Sequence, residues 1–128
     1  MARVLIIEDN PANMLLMVYL LKAFGHEPLE ASSGMRGLAL AAQSEPQIIL
    51  CDLQMPGLDG YEIAHRLKAD ANLKSIPLIA VTAYAMVGDR EKALAAGFDG
   101  YMAKPINPET FVGEIENFLR SSASSQST

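Results

Sequence analysis

Four groups in this chain are of types that handle phosphate: the acids Glu8-Asp9, the acid Asp52, the hydroxyl of Thr82 and the ammonium of Lys104. Three of them close a short apolar run. Val4-Leu5-Ile6-Ile7 gives way to Glu8-Asp9, Ile48-Ile49-Leu50-Cys51 to Asp52, and Leu78-Ile79-Ala80-Val81 to Thr82, while Lys104-Pro105 follows Gly100-Tyr101-Met102. If those runs are parallel strands, all these groups lie at the carboxyl edge of one sheet, where open α/β sheets bind ligands. Carboxylates crowded there repel one another and resist ionising unless a cation joins them. A hard divalent ion such as Mg²⁺ suits the oxygen donors, because it takes one or two carboxylates, keeps several waters and leaves room for phosphate oxygens.

Within this set Asp52 is the candidate nucleophile. A carboxylate can form an aspartyl-phosphate when a metal and a cation neutralise the incoming phosphoryl oxygens, since the step needs positioning and charge stabilisation above all. Asp9 and Asp52 can ligate the metal directly, with Glu8 acting through water. Lys104 can pair with Asp52 first and with the phosphoryl group afterwards, and Thr82 can donate its hydroxyl to a phosphoryl oxygen. Taken singly, an acid at a strand end is more often a turn residue or helix cap, and a lone lysine a solvated surface group.

The elements that must position these residues alternate five times. The β-branched run Val4–Ile7 reads as a buried strand, and Asn10-Pro11 starts a helix, with a cap residue and proline at the first helical position, that ends near Gly25. Residues 27–31 read as a second strand, and Ser33 caps a helix over 34–44 that stops before Pro46. Residues 47–51 form the third strand. The turn-rich stretch 54–60 follows Asp52, with Asp59 and Glu62 as a capping-box-like start to the third helix. Residues 78–81 form the fourth strand, Asp89 caps a helix running to Ala96, and Gly97 supplies its left-handed stop. After a short strand at 100–103, Asn107-Pro108 repeats the first helix's start, and Phe111, Ile115, Phe118 and Leu119 recur at helical spacing. Right-handed crossovers then give one open, doubly wound α/β domain over 1–120. The serine-rich tail 121–128 reads as disordered, a terminus or linker stub.

Bulk composition sets limits. The 128 residues are 50% hydrophobic and 20% charged, ordinary for one globular domain, and the net charge of -5 with no basic tract argues against nucleic-acid binding. The only cysteine, Cys51, has no mate and reads as core packing, which fits a reducing cytoplasm. No apolar stretch is long enough to span a bilayer and no secretory signal is evident, so no membrane is expected. His26 and His65 have no neighbouring ligand set and read as surface or helix-face residues, not metal ligands or phosphocarriers. Met14, Met35, Met55, Met86 and Met102 read as gap-fillers.

Glu8-Asp9-Asn10, Asp52 with Met55-Pro56 and Asp59-Gly60, Val81-Thr82-Ala83, and Lys104-Pro105 together resemble the receiver domain of bacterial two-component response regulators, most closely its stand-alone members. The resemblance covers Arg3 to about Arg120. It implies a flavodoxin-like (βα)5 fold with a five-stranded parallel sheet in the order 2-1-3-4-5. It also implies that Asp52 accepts a phosphoryl group from a histidine kinase or histidine phosphotransfer protein. Mg²⁺, or Mn²⁺ in its place, would be held by Asp9, Asp52 and the Gln54 backbone carbonyl. Lys104, Thr82 and the Ala83 backbone would contact the phosphoryl oxygens, and Tyr101 would turn inward as the face made by the fourth helix, fifth strand and fifth helix changes shape. Side chains of Gln54 and Tyr84 flank the path of attacking water and would modulate the phosphate's lifetime. Glu8, where many members have aspartate, adds one methylene that can alter metal affinity.

On the first helix, Met17, Leu20, Leu21 and Phe24 make one core stripe, yet Leu15, Leu16, Val18 and Tyr19 are apolar too. That surplus, with Asn13 and Pro105, reads as a docking surface for the phosphodonor. The expected output is contact with a downstream protein or phosphate relay by a monomer able to dimerise when phosphorylated. Apart from its own phosphorylation and dephosphorylation, no enzyme activity is expected. The alternatives are a receiver excised from a hybrid kinase, a phosphate-independent binding domain and, remotely, a Mg²⁺-dependent phosphohydrolase. The last lacks an acid two residues after the nucleophile, where Gln54 stands.

Overall fold

Branched apolar side chains alternate to opposite faces of a strand, so a run without polar residues must be covered on both sides. The computed structural model describes residues 2–83 and 88–126, with side chains to Ser121. There the runs form β1 (Arg3–Ile7), β2 (Glu27–Ala31), β3 (Ile48–Asp52), β4 (Leu78–Thr82) and β5 (Gly100–Ala103). Between and after them come α1 (Pro11–Ala23), α2 (Gly34–Ser44), α3 (Gly60–Ala69), α4 (Asp89–Ala96) and α5 (Phe111–Gln126). The sheet is parallel throughout in the order β2-β1-β3-β4-β5, the flavodoxin-like topology expected. On one face Val4, Ile6, Leu50 and Val81 pack with α1 and α5. On the other, Leu5, Ile7, Ile49 and Ala80 pack with α2, α3 and α4. β3 and β4 are buried along their whole length.

Helix starts follow local chemistry. Asn10 Oδ1 accepts from the Asn13 N–H at 3.0 Å, Ser33 Oγ from Arg36 at 3.2 Å and Asp59 Oδ1 from Glu62 at 3.0 Å. α4 differs from expectation: Gly88, at φ 95°, takes the cap position and Asp89 is the first helical residue. A glycine adopts that left-handed backbone freely, and Asp89 still places its charge at the positive end of the helix. Before α5, Thr110 and Phe111 N–H groups both bond to the Asn107 carbonyl, so residues 108–110 form a tight turn and the regular helix starts at Phe111. α5 also continues past Arg120 to Gln126, into the stretch expected to be disordered. No glycine or proline interrupts it there, and extending a formed helix costs far less than nucleating one.

Three side chains lie elsewhere than expected. Phe24 is exposed rather than part of the α1 stripe, because the chain leaves helical geometry at that residue; Met14 is buried instead. Met35 is exposed on α2. His26 is buried: its Nδ1 accepts from the Ala2 N–H at 3.1 Å and its Nε2 lies 2.9 Å from Glu116 Oε2. These contacts join β1, the start of β2 and α5 through residues remote in sequence. Met86 and Tyr84 lie outside the described residues. Among the described residues no helix is long and apolar enough to cross a membrane.

Candidate functional site

Strand register assembles the site. Ile7 pairs with Cys51, so the residues that follow them, Glu8 and Asp52, leave the sheet side by side; Asp52 pairs with Val81, and Thr82 with Ala103. The Lys104 N–H then donates to the Thr82 carbonyl at 2.8 Å, which carries the lysine back over the same edge. The Lys104–Pro105 peptide bond is cis.

Glu8, Asp9 and Asp52 each offer an oxygen, all within 4.8 Å of one another, and Glu8 and Asp52 are buried while Asp9 is exposed. Asp52 Oδ1 accepts from the Gln54 N–H at 3.0 Å and Oδ2 from Lys104 Nζ at 3.2 Å. Lys104 Nζ lies closer still to Glu8 Oε1, at 2.7 Å, a buried ion pair. Glu8 Oε2 accepts from the Asn10 N–H at 3.2 Å. Burial pushes the Glu8 carboxyl above its ordinary range, opposed by Lys104 and reinforced by Asp52. Burial also works against charging Lys104, but Glu8 and Asp52 outweigh it and hold the ammonium above the ordinary lysine range. Burial raises the Cys51 thiol, on the far face of β3, so it is no nucleophile.

A cleft of about 280 Å³ opens over these groups, lined by Glu8, Asp9, Asn10, Asn13, Asp52, Gln54, Ala83 and Lys104. Hard oxygens carrying more negative charge than one lysine offsets fit a divalent cation. Thr82 is buried at the end of β4, and Tyr101 is half-buried against the α2–α3–α4 core. Tyr84 cannot be placed among the described residues.

Of the residues expected to dock a partner, Leu15 and Tyr19 are 71% and 68% exposed and Pro105 is exposed. Leu16 is half-buried against the core. Val18 corrects the expectation: it is buried, in the floor of a groove running from Glu8 and Asp9 past Met14 and Leu15 to Lys22. Only part of the apolar surplus on α1 therefore reaches the surface. Asn13 belongs to the acid cleft itself, as does Asn10, to which sequence reasoning assigned no site role beyond its place in the Glu8-Asp9-Asn10 motif and its helix cap. The Glu8–Lys104 pair was also missed; its signal was Glu8's extra methylene, which lengthens the reach toward the lysine.

This geometry has known counterparts. The chain is 42% identical to the polar-differentiation response regulator DivK of Brucella ovis over 116 residues, 91% of this chain and 94% of that protein. It is 31% identical, with a TM-score of 0.85, to the receiver domain of the sensor histidine kinase PA1611 from Pseudomonas aeruginosa, whose crystal structure has a magnesium ion coordinated in the active site cleft; the match covers 92% of this chain and 97% of that one. The Vibrio cholerae chemotaxis protein CheY4 matches with a TM-score of 0.87 at 26% identity, over 92% and 98% of the two chains. The family model for the response regulator receiver domain matches residues 4–116, which hold all of the sheet but Arg3 and every residue of the acid cleft, and the chain belongs to that family.

Proposed function

We propose that this protein is a phosphorylation-dependent signalling switch in a two-component phosphorelay, with Asp52 as phosphoacceptor. The observation that carries this reading is the buried Asp52 carboxylate, held by Lys104 and the Gln54 N–H within ligand distance of Glu8 and Asp9. An Asp52 oxygen forms a bond to phosphorus as the P–N bond to the donor's phosphohistidine breaks, and the departing imidazole takes a proton from solvent. Lys104 passes from the carboxylates to the phosphoryl oxygens, where Thr82 and the Ala83 N–H add donors. Asp9, Asp52 and the Gln54 carbonyl, with Glu8 through water, would hold Mg²⁺ or Mn²⁺, which supplies charge neutralisation for the phosphoryl oxygens. The magnesium in the related PA1611 receiver supports that choice. A histidine kinase or phosphotransfer protein docks on the exposed Leu15 and Tyr19 beside the cleft, and the α4–β5–α5 face passes the change to a downstream protein.

The test is incubation with Mg²⁺ and acetyl phosphate followed by intact-mass measurement beside Asp52→Asn. A phosphoryl adduct that requires both Mg²⁺ and Asp52 is expected. A folded protein that takes no phosphate, read quickly enough to catch a short-lived acyl phosphate, would overturn the reading in favour of phosphate-independent binding.

A further inference from the structure

Among the described residues, α4 has fewer buried positions than any other helix. It is eight residues long, its N-cap Gly88 makes no side-chain cap bond, and Ala93 is its one buried residue. Leu94 is exposed. Among the described residues one cation–π contact reaches it from α3: Lys92 Nζ sits 4.7 Å from the centroid of the Tyr61 ring. Tyr61 is the second residue of α3, just after the Asp52 loop, and its half-buried ring packs on the same core cluster as Tyr101 of β5. Asp89 lies one turn before Lys92 on α4. Burial lifts both tyrosine hydroxyls above their ordinary range and the Asp89 charge adds to it, which places Tyr61, Tyr101 and the first turn of α4 in one electrostatic neighbourhood.

We propose that Tyr61 and Lys92 form a latch that pins α4 to α3 in the resting protein and thereby sets how readily the α4–β5 region rearranges. The second half rests on the phosphorylation switch; the first does not. Neither residue lines the acid cleft, so they act as positioning residues, through helix placement and not through the chemistry. An exposed cation–π contact favours the latched position by a factor of about two to five. That factor is small enough to be overcome by phosphoryl-driven contacts and large enough to bias a two-state element.

The experiment follows amide hydrogen exchange across residues 89–96 in the unphosphorylated full chain. Lys92→Met and Tyr61→Leu are each expected to lower protection there by about two- to fivefold, with the double variant no worse than either single. Lys92→Arg and Tyr61→Phe keep a cation over a ring and are expected to retain protection, which loss of a merely structural contact would not spare. Unchanged protection in Lys92→Met, or equal loss in Lys92→Arg, overturns the latch. The same proteins are then phosphorylated with acetyl phosphate. Equal adduct yields and a shrinking α4 difference between parent and Lys92→Met are expected, whereas a difference that persists unchanged removes the latch from the switch. Failure of Asp52 to take phosphate would defeat the proposed function while leaving the resting-state result intact.

Discussion

Replacing Gly60 by alanine sets a steric cost against an entropic gain, and the structure gives the sign. A Cβ there would lie 2.6 Å from the Asp52 carbonyl oxygen and 2.8 Å from Leu53 Cα, both backbone atoms of the segment that carries the Asp52 carboxylate into the cleft. Neither can yield unless the end of β3 moves. Overpacking of this kind costs about 1–3 kcal/mol, while stiffening the unfolded chain returns only about 0.4–1 kcal/mol. The net loss is roughly 0.5–2 kcal/mol, or about 2–8 °C in Tm for a domain of this size. Gly113 is the matched control: it lies in α5, is exposed, and a Cβ there would meet nothing within 4 Å. The same substitution at Gly113 should stabilise by about 0.5–1 kcal/mol. Urea and thermal unfolding of both variants would be run beside the fraction of Asp52 phosphorylated by acetyl phosphate. Gly60→Ala should lose stability and phosphorylation together, and Gly113→Ala should gain stability with phosphorylation unchanged. A Gly60→Ala protein as stable as Gly113→Ala and fully phosphorylated would refute the argument that α3 is packed directly on the Asp52 backbone.

Lys104→Met should destabilise by roughly 2–4 kcal/mol near neutral pH, because two buried carboxylates lose their shared cation. Since the folded state raises the Lys104 pKa, that contribution should be complete below the ordinary lysine value of 10.5 and fade as pH rises through the folded value, which denaturant titrations across alkaline pH would show. Glu8 has the opposite consequence: its pKa is raised from 4.5, so ionising it costs stability as pH climbs above that point, and Glu8→Gln should be more stable than the parent near neutral pH but not at about pH 4. Glu45 ends α2 with φ 47°, a backbone that favours glycine, so Glu45→Gly should raise stability by about 0.5–1 kcal/mol in urea unfolding. His26→Phe should cost about 1–3 kcal/mol and weaken exchange protection at Ala2 and α5, because the Ala2 N–H and Glu116 lose their common partner.

The sequence by itself determined the strand positions and the identity of the cleft's acids, whereas the strand order followed only from the resemblance to the receiver family. Uninterrupted branched apolar runs form buried parallel strands, and each polar residue at such a run's end must sit at the carboxyl edge of the sheet; spacing along the chain carries that information for Asp52 and Thr82. The caps Asn10, Ser33 and Asp59 were equally legible, since each bonds an N–H three residues away. Contacts between distant segments were decided only by the tertiary structure. Lys104 reaches Glu8 more closely than Asp52 because register and the extra methylene of Glu8 set the distances. His26 is buried because Ala2 and Glu116 converge on it from 24 and 90 residues away. Val18 is buried and Leu15 exposed because the helix's rotation against the sheet was fixed by the whole core, which an apolar stripe wider than one face leaves undetermined.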